Sequence, residues 1–359
     1  MRKRKLNNIF QPMTEFISLY KSYEGAAHRK YYRISVMSFS ANLEENVFEL
    51  QKLLREGTYS FGPYRNFYVF EPKTRLIETA PFRDRVVHHA IFNAVFPVFL
   101  SQFYKHSYAC IPERGTQAAL LTLAKWINKS KRKYFLKCDV KRYFPSVSRD
   151  ILKEILRKTI VDEKMLVLLD RLIDTAPNNG IPIGNLTSQL FANAYLNELD
   201  EYVKRVLRVK HYIRYMDDFI LILDSEEQAR KLKRYIQEFL FKKLKLELSP
   251  QKVHIGVVKE GVPFVGYFVK PHSIRVRGAS LRRSQLKVKK AYRSSFQVED
   301  FDLESNWDEE YVKQSKFFRS WSSYYGRTLV ADNSYGLHFR MIEELKEYRN
   351  ILKRRRGSN

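Results

Sequence analysis

Apolar residues recur at helical spacing over 43–56, where Val47, Leu50, Leu53 and Leu54 share one face and Gly57 stops the run. Two short β-prone runs follow, Phe67–Phe70 and Arg75–Glu78, separated by Pro72 and Lys73. Longer periodic segments predict helices over 84–104 and 116–130, before a strand at Tyr134–Val140. Helices are then expected at 149–160 and 163–174, and a Pro/Asn/Gly loop over 177–185 leads into another at 187–207. The alternation at 211–224 predicts a β-hairpin. A helix over 226–244 aligns Ala229, Leu232, Ile236, Phe239 and Leu240, and short strands are expected at 252–258 and 263–269. From about residue 280 the pattern becomes helical and rich in Lys and Arg, apart from an acidic stretch at 297–310 read as an exposed connection.

Composition changes this picture mainly through charge. The 359 residues carry 65 Lys plus Arg against 39 Asp plus Glu, a net +26. A hydrophobic content of 44% excludes a disordered basic tail, and a mean hydropathy of −0.44 argues against a membrane protein. The longest apolar stretch, 86–103, is interrupted by His88, His89, Asn93 and Pro97, as a buried helix would be; the two histidines adjoin, cannot share one helix face, and are assigned no function. Arg2 to Lys5 lead into polar residues, so no signal peptide is expected, and Cys110 and Cys138 are too few for a disulfide framework or a cysteine zinc site. The expectation is a cytoplasmic protein without a membrane partner. The positive excess calls for a polyanion, nucleic acid first, and the 14% aromatic content adds stacking surfaces.

Chemistry concentrates in acids at strand ends. Asp217 and Asp218 lie at the tip of the expected hairpin, where adjacent carboxylates repel each other and a divalent cation is the natural compensating partner. A polar turn is the alternative, but turns favour Asn-Gly or Asp-Gly over Met-Asp-Asp. Asp139 ends the strand beginning at Tyr134, and two such acids can converge on a metal pair suited to phosphoryl transfer. Neither a Rossmann nor a P-loop glycine motif is present.

Tyr215-Met216-Asp217-Asp218, with Asp139 upstream, resembles the catalytic palm of reverse transcriptases, and the likeness runs in order from about Lys73 to Tyr267. The resemblance implies an α+β right-hand polymerase: an N-terminal extension and fingers over 1–137, an antiparallel-sheet palm on helices over 138–279 with a fingers-like insertion at about 151–180, and a helical thumb over 280–359. It implies two Mg²⁺ ions, with Mn²⁺ a substitute, on Asp139, the Val140 carbonyl and Asp217, with Asp218 in support. It also implies that Lys73 and Arg75 hold the triphosphate of an incoming deoxynucleotide, that Phe144 is a steric gate, and that Lys252 protonates pyrophosphate. A core role for Phe144 and an idle exposed Lys252 stay open. Arg83-Asp84-Arg85 is expected to form a structural ion pair, and Phe264, Gly266 and Tyr267 resemble a primer-grip hairpin.

The segment Ile181-Pro182-Ile183-Gly184-Asn185-Leu186-Thr187-Ser188-Gln189 is similar to its counterpart in diversity-generating retroelements. Group II intron and retron enzymes typically read Pro-Gln-Gly and Ser-Pro there. By this resemblance Ile181 and Gln189 shape the template-base pocket, Gly184 lets backbone approach template and nucleotide, and Ser188 begins or caps the next helix; pure packing for Ile181 stays open. Error-prone copying of template adenines would follow. The implied partners are a template-repeat RNA, the RNA/DNA hybrid and a small basic accessory variability protein. Alternatives are a defence-associated or group II-like reverse transcriptase of ordinary fidelity, an RNA-dependent RNA polymerase (disfavoured by Met216 and Phe144), and a catalytically silent RNA-binding protein.

Overall fold

A computed structural model describes residues 5–70, 73–295 and 316–356. The acidic stretch at 297–310 lies outside the described residues. The first elements are helices α1 (Phe10–Met13), α2 (Phe16–Ala27), α3 (Ile34–Ala41) and α4 (Leu43–Glu56), of which only the last is evident in the sequence pattern. Gly57 ends α4 in the left-handed conformation, φ 70°, and its N–H and that of Thr58 return to the Leu54 and Leu53 carbonyls. Glu44 and Glu45 in the first turn and Arg55 in the last match the helix dipole.

Strands β1 (Arg65–Val69) and β2 (Arg75–Thr79) pair antiparallel with Val69 opposite Arg75. They lead into α5 (Phe82–Gln102), which keeps Pro97 in its interior. α2 packs on α5 through an aromatic cluster: Phe82 meets Tyr23 and Phe39 edge-on, with ring centres 6.1 and 5.3 Å apart. Gly25 makes the close approach possible, since a Cβ there would sit 2.8 Å from His89 Nδ1.

Next come α6 (Thr116–Lys129), β3 (Tyr134–Asp139), α7 (Tyr143–Ser146), α8 (Arg149–Arg157), α9 (Glu163–Asp174) and α10 (Leu186–Glu201), the last continued by a π-helical turn at Tyr202–Val206. Asp162 caps α9, accepting from the Met165 N–H at 3.1 Å. The hairpin β4 (His211–Tyr215) and β5 (Asp218–Leu223) is followed by α11 (Glu226–Leu244) and β6 (His254–Val257), giving a four-stranded sheet in the order β4-β5-β3-β6. In β5 the residues after Asp218 are buried on both faces, as expected of a strand with helices packed against it. A three-stranded meander follows, β7 (Val262–Phe264), β8 (Tyr267–Lys270) and β9 (Ser273–Val276), then α12 (Gly278–Ser295) and helices at Lys316–Thr328 and Ser334–Arg356. Strand β9 has no counterpart in the sequence reading. It is four residues long, and its approach needs His272 at φ 55°.

The chain divides into two compact units. The first comprises Met1–Gly115, Leu136–Leu221 and Glu227–Ile255, and the second Thr116–Phe135, Ile222–Glu226 and Gly256–Asn359. In the second, Val288, Tyr292, Phe317, Tyr324 and Met341 form a helical core, with Tyr292 and Phe317 rings 5.4 Å apart. This combination of helices with antiparallel sheets is an α+β polymerase fold.

Candidate active site

Asp139 is the last residue of β3 and Asp218 the first of β5, the neighbouring strand, so sheet pairing alone brings the acids of two distant segments together. Asp217 sits in the turn between β4 and β5, after Met216, whose φ of 55° is left-handed. The Val140 N–H donates to the Asp217 carbonyl at 3.2 Å, and the Ser249 N–H to the Asp139 carbonyl at 2.8 Å. These bonds tie the backbones that carry the two candidate ligands.

Cations hold the carboxylates. Lys137 lies two residues before Asp139, on the same face of β3, and its Nζ donates to both Asp218 oxygens at 2.6 Å. Lys252, on a 3₁₀ turn at Pro250–Lys252, donates to Asp139 Oδ1. Burial, and secondly the nearby Asp139 charge, push the Asp217 carboxyl above its ordinary range, while Lys252 and Arg75 act the other way. Burial lifts Asp218 to about 6, against the attraction of Lys137. Asp139 and Asp217 are thus close enough to repel in a poorly hydrated place, and their hard oxygen donors suit a divalent cation. Among the described residues no group of three or more His, Cys, Asp or Glu side chains forms a metal cluster. A site built on Asp139, the Val140 carbonyl and Asp217 needs only two acidic side chains, so the donor set fits.

Arg75 opens β2, exposed, and its charge reaches Asp217; Lys73 is exposed in the connection before it. Phe144 stands half-buried in α7 just after β3, not at a strand end, and its carbonyl accepts from the Ile181 N–H at 3.0 Å. Ile181 itself is buried. Gly180, absent from the sequence reading, is decisive for that contact. Its φ is +85°, and a Cβ would lie 2.3 Å from the Phe144 carbonyl oxygen.

Several expectations change in detail. Gly184, at φ +129°, makes its close approach to Ile77 Cγ2 (3.0 Å) and the Glu78 carbonyl of β2. The Glu78 N–H also donates to the Ile183 carbonyl at 3.0 Å, which gives this glycine a protein neighbour to accommodate. Asn185, not Ser188, is the N-cap of α10; Ser188 is buried inside the first turn. Asp84 pairs with neither flanking arginine: it accepts from Tyr59 Oη at 2.5 Å and the Gly62 N–H at 2.8 Å, while Arg83 reaches Glu49. Gln189 is half-buried on α10. His88 Nδ1 lies 2.7 Å from Thr187 Oγ1.

Phe264, Gly266 and Tyr267 belong to the second unit, in the two-residue turn and flanking ends of β7 and β8. Val265 and Gly266 both have positive φ, 40° and 94°, the pattern of a tight hairpin turn. Tyr267 Oη donates to the Arg327 carbonyl at 2.6 Å.

Sequence reasoning also passed over Arg214 and Lys137. Each is a charged residue in an otherwise apolar strand, and that is the signal that could have found them.

The α+β polymerase fold agrees with the family to which the chain belongs, reverse transcriptase (RNA-dependent DNA polymerase), matched over residues 70–269, more than half its length. Its domain activity is RNA-directed DNA polymerisation, and the family uses divalent metal ions. Among its relatives, Protein YkfC of Escherichia coli K12 is 26% identical over 313 residues, covering 74% of this chain and 82% of that protein. The group II intron-encoded protein LtrA of Lactococcus lactis subsp. cremoris is 24% identical over 321 residues, 69% of this chain and 52% of LtrA. The retron Ec73 reverse transcriptase of Escherichia coli is 28% identical over 160 residues, 41% of this chain and 48% of that enzyme. The chain therefore spans about half the length of the last two. No helix among the described residues is long and apolar enough to cross a membrane.

Proposed function

We propose that this reverse transcriptase makes error-prone, adenine-mutagenic cDNA from a template-repeat RNA for diversity-generating retrohoming, in the cytoplasm and with a small basic accessory protein. The observation that carries the reading is the segment 181–189, whose Ile-Gly-x-x-x-Ser-Gln pattern sits between the candidate gate and the candidate triphosphate strand. Its Ile181 N–H is bound to Phe144 and its Ile183 carbonyl to Glu78. A changed side chain in a segment braced on both sides alters the shape of the nucleotide pocket without loosening it.

In this proposal an N-terminal extension and fingers comprise 1–137, the palm 138–279 with a fingers-like insertion at about 151–180, and the helical thumb 280–359. Two Mg²⁺ ions on Asp139, the Val140 carbonyl and Asp217 would activate the primer 3′-hydroxyl and stabilise the charge that develops as pyrophosphate leaves. Arg75 binds the triphosphate bidentately and Lys73 as a point charge. Phe144 excludes a ribose 2′-hydroxyl. Lys252, which is paired with Asp139, turns to the leaving pyrophosphate and gives it a proton. Asp218 stays with Lys137 and supports the turn. Phe264, Gly266 and Tyr267 hold the primer end, and Ile181, Gly184 and Gln189 border the template base.

A second reading, a group II-like or defence-associated enzyme of ordinary fidelity, draws on the similarity to LtrA and the retron Ec73 enzyme. Primer extension on an RNA template with Mg²⁺, with deoxynucleotides against ribonucleotides and wild type against Asp217→Asn, tests both once the products are sequenced. Deoxynucleotide-dependent synthesis that is lost in the variant, with errors concentrated opposite template adenine, is the expected result. Uniformly faithful products would select the second reading.

A further inference from the structure

Arg214 is wholly buried, and its side chain makes four hydrogen bonds near the acids. Its Nε and Nη2 donate to the two oxygens of Asp200 on α10 at 2.8 and 2.6 Å, and its Nη1 donates to Asn193 Oδ1 at 3.3 Å. The remaining bond points toward the chemistry: Nη1 donates to the Met216 carbonyl at 3.1 Å. Met216 precedes Asp217 and holds φ at 55°. A non-glycine residue is strained in that conformation and keeps it only when its surroundings over-determine it.

The anchor is rigid at its other end. Both Arg214 and Asp200 are 0% exposed, and Tyr212 Oη adds a 2.7 Å bond to Asp200. The Arg214 backbone is clamped as well, its N–H donating to the His106 carbonyl and its carbonyl accepting from the Tyr108 N–H, each at 3.0 Å. A buried ion pair seldom adds net stability over well-packed apolar residues, so another reason for its presence is needed.

We infer that Arg214, locked by Asp200, is a positioning residue: it holds the Met216 carbonyl, and with it the left-handed turn that aims Asp217 at Asp139. The planar guanidinium is required because one group must satisfy Asp200 bidentately and still reach the turn; a lysine ammonium keeps the charge and loses the fork. The inference rests on Asp139 and Asp217 being the metal-binding pair.

The test compares wild type, Asp217→Asn, Arg214→Lys and the apolar pair Asp200→Leu/Arg214→Met. Thermal unfolding, Mg²⁺ binding by calorimetry and primer-extension kinetics are followed in each. Wild type must synthesise DNA and Asp217→Asn must not; failure there overturns the metal-pair reading itself. With that control met, folded Arg214→Lys should lose about 10- to 100-fold in kcat, the scale of a small misplacement. Its nucleotide KM should stay near wild type and its Mg²⁺ affinity should fall. The apolar pair, where it folds, should show the same kcat and Mg²⁺ losses. Wild-type kcat and Mg²⁺ binding in either folded variant would overturn the proposal. So would failure of both variants to fold, which would make the pair a structural support only.

Discussion

Replacing Asp218 by Asn should make the metal-free protein more stable at neutral pH. The carboxyl lies at about 6 against an ordinary 3.8, raised by burial and by the Asp139 and Asp217 charges in excess of what Lys137 returns. At 1.36 kcal/mol per pH unit this is about 3 kcal/mol of preference for the neutral form in the native state. Solvent screening at the 20% of the side chain still exposed makes that an upper limit. The sign follows from proton uptake. Below about pH 4 the carboxyl is protonated in native and unfolded chains alike, and nothing is lost. Between about 4 and 6 the native state binds more protons, so stability falls as pH rises, and above about 6 the whole penalty is present. Asn imitates the neutral acid and removes it. Urea unfolding in EDTA at pH 4.5 and pH 7 measures the effect as the difference between wild type and variant. That difference cancels the opposite contribution of His88, His89 and His106, whose burial lowers them to about 3, 4 and 4. The variant should gain about 1–3 kcal/mol at pH 7 and much less at pH 4.5. A variant less stable than wild type at pH 7 would refute the reasoning, because Lys137 would then outweigh burial and repulsion together.

Gly180→Ala should destabilise the first unit by about 2 kcal/mol or more, since backbone at positive φ would meet a backbone carbonyl that cannot yield; thermal unfolding checks this. Phe144→Ala should raise ribonucleotide incorporation relative to deoxynucleotide, read by primer extension with each nucleotide set, and an unchanged ratio would return Phe144 to a packing role. Template RNA affinity should drop on the order of 10³-fold between 50 and 200 mM salt if the +26 charge neutralises six or more phosphates, as a filter-binding series would show.

Helix α4, the β4–β5 hairpin and α11 are legible in the chain because each carries its own periodicity and stop signal: Gly57 for α4, and the polar Met-Asp-Asp tip between apolar runs for the hairpin. Asp139 and Asp217 stand out as candidates for the same local reason, the first ending an apolar strand and the second lying in the turn between two. α1 to α3 were not. α1 and α3 are short, α3 has almost no amphipathic bias, and all three gain their order by packing, chiefly on α5. Ser188 reads locally as a cap, yet α10 begins at Leu186, after Asn185.

The sequence by itself determined most of the strands, the long helices and which acids are candidates, because period and residue chemistry are local properties. Only the tertiary structure decided the partners. Lys137 meets Asp218 because β3 lies beside β5, and Lys252 meets Asp139 across a gap of more than a hundred residues. Arg214 finds Asp200 and Met216 because the edge strand β4 packs against α10. Which charge neutralises which, and which carbonyl a buried guanidinium holds, depends on distances that exist only once the chain has closed on itself.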